Sequence, residues 1–107
     1  MKSRYLIKSH RLVEDQDLRE LTPDILEIFE DIRQSVLIAD PYRCLGLPNH
    51  SLRGELANYR AVEIDWNGVA YRLVYRIYET PAPKRVVILS FAEHDPAYDR
   101  ALERKPR

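Results

Sequence analysis

Residues 58–78 read NYRAVEIDWNGVAYRLVYRIY, and the fold follows from how this run divides. Asn58 to Asp65 alternates in character, as a half-buried strand does. Trp66-Asn67-Gly68 supplies a hairpin turn, because Asn and Gly accept the positive φ that a two-residue turn demands. Val69 to Tyr78 alternates again. Val69, Tyr71, Leu73, Tyr75 and Ile77 fall on one face, and Ala70, Arg72, Val74, Arg76 and Tyr78 on the other. The run is therefore predicted to be an antiparallel hairpin whose second strand has one apolar face and one face carrying two arginines.

Downstream, Thr80 to Lys84 holds two prolines and ends the second strand in a loop. Arg85 to Phe91 is strongly apolar, as expected of a third strand central in a sheet. Asp95-Pro96 joins an N-cap residue to a proline, predicting a short C-terminal helix with Tyr98 and Leu102 as an i,i+4 pair. The basic groups near its end, Arg100, Arg104, Lys105 and Arg107, read as a solvated tail. Upstream, Pro41 to Ala57 is a long connection containing Gly46 and Gly54, a length that marks a functional or an ordered loop. Thr22-Pro23-Asp24 reads as a helix start. Ile25, Ile28, Phe29, Ile32 and Val36 follow on one helical face, and Asp40-Pro41 stops the helix. Leu12 to Leu21 predicts an earlier, charge-rich helix with Val13, Leu18 and Leu21 turned inward. Arg4 to Lys8 predicts a first short strand.

This order of elements gives an α+β architecture in two layers, a single domain over residues 1–107. An N-terminal strand and a helical hairpin pack on an antiparallel meander, and a short C-terminal helix closes the chain. The helices cover one face of the sheet. The face carrying Arg72 and Arg76 is expected to be left for solvent or a ligand.

Composition sets the outer limits. The chain has 107 residues, 45% hydrophobic and 32% charged, enough for one modest core and too apolar for wholesale disorder. Lys plus Arg total 17 and Asp plus Glu total 17, so a uniformly basic nucleic-acid coat is excluded while a local basic face is not. Asp24, Glu27, Glu30, Asp31 and Asp40 face Arg33 alone in the middle of the chain. Cys44 is the single cysteine, which excludes an intrachain disulfide or a multi-cysteine zinc site and fits a reducing, cytoplasmic setting. No stretch approaches the roughly 18 apolar residues of a membrane span, and Lys2, Arg4 and Lys8 leave no signal-peptide core. His10, His50 and His94 lack metal-ligand spacing, no glycine-rich phosphate loop exists, and Ser51 has no nucleophile-elbow context. No metal and no cofactor are expected.

Leu52-Arg53-Gly54-Glu55-Leu56, then Tyr59-Arg60, then Tyr71-Arg72-Leu73-Val74-Tyr75, a Val-Val-Ile-Leu strand and a closing tyrosine together resemble the RelE/ParE toxin superfamily. The resemblance covers about residues 4 to 104. It implies a RelE-like toxin of a type II toxin–antitoxin system, a ribosome-dependent mRNA endoribonuclease that inhibits translation, with ribosome and mRNA as targets. It further implies a cognate antitoxin that wraps the toxin along the helical layer or a sheet edge, giving a toxin–antitoxin hetero-oligomer in the cytoplasm. Two alternatives stand beside it: a ParE-like gyrase inhibitor, and a catalytically silent RelE-fold protein that only binds antitoxin. Carried over residue by residue, the resemblance makes Arg72 the active-site arginine and Tyr98 the closing tyrosine. Arg60 stands for one basic residue of the preceding strand. Val62 occupies the position two on, and His94 lies where the last strand of the family ends in a basic residue. Arg76 and Arg53 join as substrate-binding groups.

The chemistry is consistent with those residue types. Cleavage of RNA by its own 2′-hydroxyl needs a base, a cation on the phosphate and an acid for the leaving oxygen. Arginine suits the middle role through its planar fork, and Arg72 and Arg76 share a strand face about 13 Å apart at 3.3 Å per residue. Tyr98 is a poor base unless cations lower its pKa, and the imidazole of His94 could act as acid or base. Glu63, alternating with Ala61 and Tyr59, would complete a Glu/His/Arg set if its strand face meets the arginines.

Overall fold

The computed structural model describes residues 4–106 and builds its sheet around the hairpin. Asn67 and Gly68 take φ values of 51° and 77°, and Trp66 sits opposite Val69, so the turn twists with its strands as a two-residue turn must. The strands are β1 (Leu6–Ser9), β2 (Asn49–Ser51), β3 (Tyr59–Trp66), β4 (Val69–Tyr78) and β5 (Arg85–Glu93). They form one sheet in the order β1-β5-β4-β3-β2. β3, β4 and β5 make the expected antiparallel meander, with β4 in the middle and β5 interior beside it. β1 pairs parallel to β5. The long connection yields one more strand, the three-residue β2, antiparallel to β3.

The first helical region runs as a widened π turn over Val13–Asp17 and a tight 3-10 turn over Leu18–Glu20. Then α1 (Pro23–Asp31) continues through a second widened turn, Ile32–Val36, into α2 (Leu37–Ala39). Such widening absorbs an extra residue without ending the helix. Asp40 leaves the helix in an extended conformation before Pro41. This layer buries Val13, Ile25, Phe29, Ile32 and Leu37 against Val62, Leu73, Tyr75, Val86, Ile88 and Phe91 of the sheet.

The opposite sheet face is less open than the sequence pattern implies. The helix α3 (His94–Arg104) lies across it, and a second core of Leu56, Tyr59, Ala61, Val74, Leu89, Ala92, Ala97 and Ala101 forms between them. A bulge in β5 aids this packing. Val74 pairs with Ser90 and Tyr75 with Ile88, which leaves Leu89 extra. Leu89 then packs in the second core while the Ser90 hydroxyl donates to the Ala97 carbonyl at 2.7 Å. α3 begins at His94 with Glu93 as its cap, two residues earlier than the Asp95-Pro96 signal suggests, because β5 runs into it without a linker. Its inward residues are Ala97, Ala101 and Arg104, whereas Leu102 is exposed.

Arg104 is not a tail residue. Its side chain is 3% exposed and its Nη1 lies 2.8 Å from the fully buried Asp17 carboxylate. Asp17 also accepts hydrogen bonds from the second Arg104 nitrogen, from Arg100 and from the Phe91 backbone N–H. One carboxylate thus ties the first helical turn, β5 and α3 together. Arg100 bridges on to Glu20 at 2.8 Å. Arg107 lies outside the described residues.

Candidate functional site

Strand register decides which side chains share the site. Arg72 of β4 lies directly opposite Glu63 of β3, and directly opposed residues project from the same sheet face. A guanidinium nitrogen of Arg72 stands 3.5 Å from the Glu63 carboxylate, with the Arg72 side chain 14% exposed. Its Nη1 donates to the Tyr71 carbonyl at 2.9 Å, and its Nε–H is buried without a partner. The other Glu63 oxygen meets Nδ1 of His50 at 3.1 Å. His50 arrives from the edge strand β2, where it pairs with Ala61.

α3 closes the cluster from above. Tyr98 is half-buried against the second core, and both Arg72 and Glu63 act on its phenol. Burial holds the Tyr98 hydroxyl above its ordinary 10.0, Arg72 pulls the other way without overcoming it, and Glu63 adds to the rise. Tyr98 therefore stays protonated at neutral pH, with a hydroxyl able to donate a hydrogen bond. His94, at the first position of α3, packs edge-on against the Tyr98 ring with centroids 4.9 Å apart. Its Nδ1 lies 2.7 Å from the Asp95 carboxylate at an exposed position. A cleft of about 350 Å³ beside it is lined by Val69, Ala70, His94 and Pro96. Arg72, Tyr98 and His94 are thus brought together with Glu63 and His50.

The other expected residues lie elsewhere. Arg76 shares the Arg72 face, four residues further along the strand, but its guanidinium is spread over Tyr59 and Tyr78, 5.6 and 4.8 Å from the ring centroids. Arg53 is exposed, at the cap of the 3-10 turn Gly54–Leu56, whose Leu56 packs in the second core. Arg60 is on the opposite sheet face. It pairs with Tyr75, which belongs to the helix-covered core, and donates instead to Ser51, Asn49 and the Tyr42 carbonyl. The structure does not join Arg60 to the Arg72 cluster. Val62 likewise faces the helices. On β3 the positions that face Arg72 are Ala61 and Glu63, so a carboxylate stands in the cluster where a second basic group was sought.

Glu63 and His50 were the residues sequence reasoning underused. Period-two alternation places Glu63 with Tyr59 and Ala61, yet only the hairpin register tells which face of β4 that set joins. β2 had no strand signal at all: three residues inside a long connection carry too little periodicity to read.

Chemically, the cluster holds an acceptor, a cation and a donor within one half-buried patch. The Glu63 carboxylate can take a proton, Arg72 can bind phosphate oxygens through its planar fork, and Tyr98 can give a hydrogen bond or a proton. Among the described residues, no group of three or more His, Cys, Asp or Glu side chains could hold a metal ion. No helix among them is long and apolar enough to cross a membrane.

No family model and no curated protein matches the chain. Two solved structures do. The toxin–antitoxin complex RelBE2 from Mycobacterium tuberculosis is similar with a TM-score of 0.66 and 28% identity, over 88% of this chain and 95% of that one. A double-arginine mutant of the E. coli toxin RelE in the free state is similar with a TM-score of 0.65 and 19% identity, over 96% of this chain and 99% of that one.

Proposed function

We propose, from the similarity of its fold to RelE toxins, that this chain is the RelE-like toxin of a toxin–antitoxin pair, cutting mRNA on the ribosome and held inactive by an antitoxin protein. The observation that carries the reading is the Glu63–Arg72–Tyr98 cluster, with Arg72 and Glu63 3.5 Å apart. In-line attack by a ribose 2′-hydroxyl requires that its proton leave as the oxygen approaches phosphorus. Glu63 is the acceptor, oriented by Arg72 on one oxygen and His50 on the other. Arg72 stabilises the charge that develops on the non-bridging phosphate oxygens. Tyr98, kept protonated by burial, donates toward the departing 5′-oxygen, with His94 at the rim.

The partner is supported by the similar M. tuberculosis structure, which is a toxin–antitoxin complex. The chain's balanced charge, 17 basic against 17 acidic residues, means that ribosome affinity must come from local contacts, not from a long-range positive field.

The test is to express the chain alone, map transcript ends, and assay the purified protein on ribosome-bound mRNA. Growth arrest with cut transcripts, lost in Arg72→Ala and Glu63→Gln, is the expected result. Arrest with a DNA-damage response and intact mRNA would assign the chain to gyrase poisoning. Absence of any phenotype would leave an antitoxin-binding protein without catalysis.

A further inference from the structure

The three-residue strand β2 separates two polar constellations. His50 points to Glu63 on one sheet face, while Asn49 and Ser51 point to Arg60 on the other. Arg60 is half-buried at a pocket of about 350 Å³ lined by Tyr42, Ser51, Asn58, Tyr59 and Ile77. Its guanidinium makes three hydrogen bonds, to Ser51 Oγ at 2.8 Å, Asn49 Oδ1 at 2.5 Å and the Tyr42 carbonyl at 3.1 Å. All three acceptors are neutral. Arg33, Arg72, Arg100 and Arg104 each meet a carboxylate. A guanidinium has five N–H donors, so two remain, one of them the buried and unpartnered Nε–H. A partly desolvated cation that faces only neutral dipoles is incompletely compensated, and an anion completes it.

We propose that the Arg60 pocket binds a backbone phosphate of single-stranded RNA, at a site separate from the Arg72 cluster. The phosphate matches the planar fork of arginine and the adjacent Ser51 hydroxyl. The neighbouring base stacks on the Tyr42 ring, which is 45% exposed and whose centroid lies 5.9 Å from the guanidinium carbon. Arg60 and Glu63 are three residues apart on β3, about 10 Å at 3.3 Å per residue. One RNA strand passing around the short β2 edge therefore engages both faces. The anion site stands on the geometry of Arg60 alone; the choice of RNA as its occupant rests on the toxin reading above.

The experiment is a nitrogen-15 NMR titration of the full chain with a short 2′-O-methyl RNA, which cannot be cleaved through its 2′-oxygen. Inorganic phosphate and a short acidic peptide serve as the other probes. With RNA, the Arg60 Nε–H and the Tyr42 and Ser51 amide signals should shift. Arg60→Gln should weaken binding about tenfold or more and lower the salt slope of log affinity by about 0.7, the share of one phosphate on a single strand. Arg60→Lys should restore the salt slope but not the full affinity. Arg72→Gln should leave the Tyr42 and Ser51 shifts in place. The inference is overturned if those signals stay still while RNA binds, if RNA does not bind, if only free phosphate or the acidic peptide moves them, or if Arg60→Gln binds RNA as the parent does. Cleavage lost in Arg72→Ala with an inert Arg60 pocket sinks this site alone; an RNA-responsive pocket with no cleavage sinks the nuclease reading alone.

Discussion

Replacing Asp17 with Ala should cost this protein a large part of its stability. The carboxylate is fully buried and accepts four hydrogen bonds, from the Phe91 N–H, from Arg100 and twice from Arg104. The loss falls unequally on its partners. Arg100 is 18% exposed and keeps Glu20 at 2.8 Å, so it is not stranded. Arg104 is 3% exposed and would retain only neutral oxygens, those of Leu89 and Gln16. Removing one member of a buried pair leaves an uncompensated charge and typically costs about 3–5 kcal/mol. That is a substantial share of the roughly 5–15 kcal/mol a domain has in total. At about 4 °C per kcal/mol for a domain of this length, the melting temperature should fall by about 12–20 °C. The assay is urea unfolding followed by circular dichroism, with the slope checked so that the shift reports stability. The same logic predicts that Asp17→Leu combined with Arg104→Met is far less damaging than the sum of the two single changes, because no charge is then stranded. A loss under about 1 kcal/mol for Asp17→Ala, or strict additivity in the double variant, would refute the view that this ion pair anchors α3.

Further outcomes follow from the same structure. Arg72→Lys keeps charge but loses the fork, and Arg72→Ala loses both; cleavage of ribosome-bound mRNA should fall about 100- to 1,000-fold in the alanine variant, with folding intact. Glu63→Gln and Tyr98→Phe, which remove the proposed proton acceptor and donor, should each cost about 100-fold or more in the same cleavage assay, whereas His94→Gln, exposed at the rim, should cost less. Tyr75 and Cys44 are buried and bonded to each other and to the Pro41 carbonyl, and burial raises both pKa values from 10.0 and 9.0. The unfolded chain therefore releases these protons at lower pH than the folded one. Stability should be level below about pH 8 and decline as pH rises past 9 and 10, and Tyr75→Phe with Cys44→Ala should flatten that decline in denaturant titrations. Gly68→Ala places a side chain at φ +77° with open space around it, so only backbone strain acts, and the loss should be about 1–2 kcal/mol in the same assay.

Local chemistry made the hairpin legible. Asn67-Gly68 and the alternation through Tyr71, Leu73, Tyr75 and Ile77 fixed β3, β4 and their turn, since a two-residue turn and a period of two leave one register. Thr22-Pro23 and Asp40-Pro41 marked the ends of the main helical run for equally local reasons, a cap and a proline. What no local signal carries is the meeting of distant segments. Arg104 as a buried anchor could not be read, because its partner Asp17 lies 87 positions away and a charged C-terminal turn is usually solvated. β2 and the parallel pairing of β1 with β5 depend on which edges the finished sheet leaves free. The site divides in the same way. The arginine fork of Arg72 and its face were available from sequence, but the companionship of Glu63, His50 and Tyr98, and the separation of Arg60, were set by cross-strand register and by α3 docking over the sheet, since residue type says what a side chain can do and only packing says what stands beside it.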